Sequence, residues 1–85
     1  DQKEEKTFYA KMMEVDDKTL ALTMSNLNGK EKTLEIYDNG SLIHEEAITG
    51  LTFGKKFKFT NLESLKNIDI KIVEGNGVGK YIFAN

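Results

Sequence analysis

The chain has 85 residues, of which 39% are hydrophobic and 31% charged, and its net charge is −2. This balance describes one small globular domain, and the charge excludes a general electrostatic pull toward nucleic acid or an anionic membrane. Cysteine is absent, which excludes a disulfide framework, a thiolate metal site and a cysteine nucleophile, and no apolar run approaches the ~20 residues of a membrane-spanning helix.

Residues 1–6, "DQKEEK", are polar throughout. They offer too little apolar surface to offset their ordering cost, so a flexible leader is expected before a single domain over 7–85. A chain opening at Asp1 rather than methionine fits either a mature form left after signal removal or a chain trimmed at that point. From Thr7 onward, short apolar runs are separated by Gly, Asn and Asp, the spacing of a small sandwich or barrel.

The strands read by alternation. "TLALTMSN" places Leu20, Leu22 and Met24 on one face and Thr19, Ala21, Thr23 and Ser25 on the other. In "TLEIYDNGSLIHEEAI", Asn39-Gly40 tolerates the positive φ of a type I′ turn and predicts a hairpin. A two-residue loop pairs Ile36 with Ile43 and Tyr37 with Leu42, whereas a three-residue loop pairs Ile36 with Leu42. The choice decides whether Leu42 or Ile43 faces the core. "NLNGKEK" is a second turn of similar chemistry. "FGKKFKFT" sets Phe53, Phe57 and Phe59 against Lys56 and Lys58, and "NIDIKIV" sets Ile68, Ile70 and Ile72 against Asp69 and Lys71. Between these two runs, "TNLESLKN" spaces Leu62 and Leu65 for a single helical turn. Seven strands are thus predicted, near 7–15, 19–27, 32–38, 41–49, 53–60, 67–74 and 78–84. So many short strands in one domain imply an all-β, immunoglobulin-like antiparallel β-sandwich.

The stretch with the most motif-like look is "EGNGVGKYIF", residues 74–83. A phosphate loop needs glycine where Glu74 stands and Ser or Thr where Tyr81 stands, and a helix after it. A dinucleotide fingerprint needs a glycine at Lys80. The glycines are therefore expected to bend the chain between the last two strands.

The remaining constellations are read against simple structural roles. His44 is the sole histidine. Catalysis needs an orienting partner and a nucleophile besides a base, no second histidine exists for a metal cluster, and His44 is expected on the surface near a sheet edge. Asp16-Asp17 and Asp38-Asn39 are oxygen-rich turns without the spaced carboxylates of a calcium loop. Lys55, Lys56 and Lys58 interleave with Phe57 and Phe59. The alternation buries the rings opposite Lys56 and Lys58, so bases could not stack on them, and edge-strand lysines that discourage aggregation are expected. Tyr9, Tyr37 and Tyr81 are the candidates for a sugar-stacking platform, or else tyrosines that bury a ring and keep a wet hydroxyl.

From "KTLEIYDNGSLIHEEAITG" onward the chain resembles small immunoglobulin-like sandwich domains of secreted and surface proteins in certain Gram-negative bacteria. It is similar both to the C-terminal sorting domain of the type IX secretion pathway and to small secreted sandwich proteins of unknown function. The corresponding pieces are Leu34-Glu35-Ile36-Tyr37-Asp38, Gly40, Leu42-Ile43-His44-Glu45, Leu62 and Ile68-Asp69-Ile70-Lys71-Ile72. The pattern's Gly-x-Tyr is here Lys66-Asn67-Ile68, the turn after Asp38 is shorter by one residue, and the chain stops at Phe83-Ala84-Asn85 without a basic ending. The resemblance implies a secreted, periplasmic or cell-surface location. The expected function is a non-enzymatic, exported module that binds a protein partner or cell-surface component or acts structurally, without cofactor, metal, nucleic acid or membrane span. The alternative is a carbohydrate-binding module using surface tyrosines.

Overall fold

The computed structural model describes residues 6–75 and 78–83, with the backbone alone for 78 and 81–83. The predicted leader lies outside these residues except for Lys6, and Gly77 lies outside them too. Seven strands form: β1 (Phe8–Asp16), β2 (Thr19–Asn26), β3 (Lys32–Asp38), β4 (Ser41–Ile48), β5 (Thr52–Lys58), β6 (Ile68–Glu74) and β7 (Val78–Phe83). All pairings are antiparallel, in a three-stranded sheet β1-β2-β5 and a four-stranded sheet β4-β3-β6-β7. The chain is therefore an all-β sandwich. It differs from the constant-type immunoglobulin layout in that β4 stays with β3 instead of joining the sheet of β1, β2 and β5.

The core is the inward parity of each strand. Leu20, Leu22 and Met24 of β2 and Phe57 of β5 meet Leu34 and Ile36 of β3, Ile48 of β4, and Ile68, Ile70 and Ile72 of β6. Phe53 and Phe59 pack at its margin. The "TNLESLKN" stretch forms turns rather than a helical turn. Leu62 N donates to Phe59 O and Ile68 N to Leu65 O, at 3.3 and 3.1 Å, and Leu65 plugs the core.

The β3–β4 hairpin follows the two-residue-loop register at its turn and departs from both predicted registers beyond Tyr37. Asn39 and Gly40 take φ of 52° and 86°, as a type I′ turn requires. Tyr37 pairs with Leu42, but Ile36 pairs with His44, so Ile43 is an extra residue in a β-bulge. Neither Leu42 nor Ile43 faces the core: they are 50% and 44% exposed. The bulge shifts the phase of β4, so His44, Glu46 and Ile48 take the inward parity.

The glycine stretch is a hairpin. Glu74 pairs with Val78 and Val73 with Gly79, leaving 75–77 between the strands. Gly75 has φ of +61°, the left-handed region that glycine enters without strain. Gly79 serves another purpose, because a Cβ there would stand 2.9 Å from the Ile72 carbonyl oxygen.

At this end of the sandwich a lysine is buried. Lys32 opens β3 on the same parity as Leu34 and Ile36, and only 1% of it is exposed. Its Nζ donates to Asn26 Oδ1 at 2.6 Å, Asn28 Oδ1 at 2.7 Å and the Lys30 carbonyl at 3.1 Å, and it pairs with Glu74 Oε1 at 3.1 Å. Asn26 Nδ2 in turn donates to the carbonyls of Lys30 and Gly50. The ammonium thus organises the β2–β3 loop and ties it to the end of β6, and with every polar atom matched its burial is tolerable.

Candidate functional site

Strands β4 and β5 are edge strands of different sheets, and they face each other across one open side of the sandwich. Between them lies a groove of about 430 Å³, lined by Ile43, His44, Phe57, Phe59 and Leu62 and by the strand and loop segments 56, 58, 60 and 61. Its floor is aromatic. The His44 and Phe57 rings lie 5.3 Å apart, tilted by 60°, and Phe57 and Phe59 are stacked with centroids 6.5 Å apart. Phe57 is buried and Ile43 is exposed at the rim.

A polar chain leads away from His44 of the groove wall. Glu46 Oε1 lies 2.7 Å from His44 Nε2 and 3.0 Å from Lys55 Nζ, so it links β4 to β5. Lys55 Nζ also stands 5.5 Å from the Phe57 ring centroid, in cation–π range. The His44 hydrogen bond, together with Lys55, holds the Glu46 carboxyl below its ordinary value, against the opposing effect of burial. Such an arrangement fixes the imidazole and leaves an apolar, aromatic trough with a charged lip. It suits apolar side chains of a ligand whose backbone can reach the free edge of β4.

The sequence candidates distribute as follows. His44 lies on an edge strand, as expected, but turned inward by the bulge rather than lying flat on the surface. Lys56 and Lys58 are exposed on edge strand β5, on the face opposite Phe57. Asp16 caps its own turn, where Oδ1 accepts from Lys18 N at 2.9 Å. Among the described residues no group of three or more His, Asp or Glu is placed to hold a metal ion. Tyr9 and Tyr37 do not converge. Tyr9 is exposed on the outer face of the three-stranded sheet, whereas Tyr37 belongs to the outer face of the other sheet and donates its hydroxyl to Glu35. Tyr81 pairs with Lys71 in β7. No helix among the described residues is long and apolar enough to cross a membrane.

Sequence reasoning missed Glu46 as the partner of His44 and Lys55 as the partner of Glu46, and it missed Lys32. Lys32 could have been found, since it shares its parity with Leu34 and Ile36. Comparison of the chain with protein-family models, with curated proteins and with solved structures finds no match.

Proposed function

We propose that the chain is a non-enzymatic, exported sandwich module that takes an extended segment of a protein partner into the groove between β4 and β5. The observation that supports this reading is the aromatic trough beside an edge strand, rimmed by exposed Ile43. An added strand gains main-chain hydrogen bonds from the edge, and alternate side chains gain selectivity from pockets beside it. Export rests on the resemblance to secreted sandwich domains.

Peptide-display selection on the immobilised domain tests the binding reading. Selected peptides should bear alternating apolar residues, protect the amides of β4 from hydrogen exchange, and bind the Ile43→Lys variant at least tenfold more weakly. A Met13→Lys control on the far face should bind as the parent does. Peptides that bind Ile43→Lys undiminished, or that protect another strand, count against the groove. Fractionation of producing cells tests export, and recovery only from the cytosol would refute it.

A further inference from the structure

The two outer faces of the sandwich carry opposite charge. On the three-stranded sheet, Lys11, Lys56 and Lys58 are exposed and point away from the core. Lys6 adds to this face by standing 5.5 Å from the Tyr9 ring. The middle of the face is flat, built from Ala21, Thr23, Ser25 and Gly54, with Tyr9 and Met13 exposed along one side. On the four-stranded sheet, Glu35, Glu45 and Asp69 take the outward parity, with Lys71 beside Glu35.

One pairing on that second face is unfavourable within the molecule. Glu35 and Glu45 stand directly opposite each other on β3 and β4, and like charges so placed repel across a sheet. Glu35 receives the Tyr37 hydroxyl, but Glu45 makes no ion pair or hydrogen bond among the described residues. Lys11 and Lys56 likewise make none. The fold thus exposes cations on one flat face and mutually repelling carboxylates on the other.

We propose that the lysine-bearing face of one copy docks onto the carboxylate-bearing face of a second copy. Both halves of the complementarity are present in every chain, which is what identifies the occupant as another copy. The sandwich measures 42 × 23 × 23 Å, so one face has an area on the order of the ~800 Å² per partner that stable interfaces bury. Small side chains on the lysine face permit the close approach that stacked sheets need. Such a contact joins unlike surfaces, and therefore repeats into a ring or an open row of domains. It uses neither Ile43 nor the aromatic groove floor, although Lys56 and Lys58 also border the groove.

Sedimentation equilibrium over a concentration series tests the proposal. At low ionic strength the average mass should rise above the monomer with concentration, and it should return toward the monomer in 0.5–1 M salt, where screening acts within about 3–5 Å. Lys56→Glu and Glu45→Lys, both at exposed positions, should each weaken association at least tenfold. Mixing the two variants should restore it, because each supplies the face that the other lacks. Carbodiimide cross-linking of labelled with unlabelled copies should join Lys56 to Glu45. A monomer at all concentrations in low salt, association indifferent to both reversals, or cross-links only within the lysine face would each overturn the proposal.

Discussion

Replacing Lys32 by methionine removes an ammonium while keeping the length and the aliphatic stem. The consequence follows atom by atom. The Lys30 carbonyl keeps its bond from Asn26 Nδ2, and Asn28 Oδ1 keeps the Lys30 amide at 3.1 Å. Glu74 keeps Asn28 Nδ2 at 2.9 Å and can rehydrate, since a quarter of its side chain is exposed. Asn26 Oδ1 alone is left buried with no donor. An orphaned buried acceptor costs about 1–3 kcal/mol, and the apolar replacement offsets little of it, because the stem was already buried. A loss of about 2 kcal/mol is expected, against a total of about 4–13 kcal/mol for a domain of this length. In thermal unfolding followed by circular dichroism, this corresponds to a melting temperature lower by about 8–16 °C. A melting temperature within about 2 °C of the parent would show that the ammonium cluster contributes nothing to holding the loop, and the reasoning would fail.

Phe57→Ala should cost about 3–5 kcal/mol in urea titration, because the ring fills the core below β2 and floors the groove; a loss under 1 kcal/mol would show that the ring is not packed as described. The Glu46 and Glu74 carboxyls lie below their ordinary values, Glu46 through His44 and Lys55, and Glu74 through Asn28 and Lys32. A depressed carboxyl stabilises the fold above its unfolded-state value and loses that contribution as pH falls through the folded value. Stability should therefore fall through the acid carboxylate range, and less steeply in Glu46→Gln; parallel pH profiles would contradict the Glu46 linkage. Gly75→Ala should cost about 1 kcal/mol through strain at positive φ. Gly79→Ala should also destabilise, through contact with the Ile72 carbonyl rather than through φ; an unchanged urea midpoint in either variant would remove the reason given for that glycine.

Much of this was legible in the residues. Strands β2, β5 and β6 alternate so strictly that their inward sets, such as Ile68, Ile70 and Ile72, are the core of the folded chain. Asn39-Gly40 announced its turn by chemistry alone. Ile43 did not announce itself, because a bulge leaves no mark in composition. Once inserted, it reversed the facing of everything between His44 and Ile48, so the expectation that Leu42 or Ile43 faces inward fails for a geometric reason. The groove was illegible for a related reason. It exists only because edges of two different sheets meet, and a reading of single strands cannot say that β4 stays beside β3. Lys32 lay in plain view by parity and was hidden by its chemistry, since a lysine after "NLNGKE" reads as solvated until its acceptors are known.

The bulge at Ile43 also acts as a ruler. A strand adding to the edge of β4 needs an uninterrupted run of regularly spaced backbone groups, and a bulge interrupts that run and turns the edge away. Beyond Ile43, regular pairing with β3 runs from His44 to Ile48, a length of about 16 Å at ~3.3 Å per residue. A long, flat strand from a misfolded neighbour finds no matching template there, while a segment of about five residues fits. In the proposed binding mode, the same single-residue insertion that turns His44 toward Phe57 limits how much foreign chain the edge accepts, and selects by length before any side chain is read.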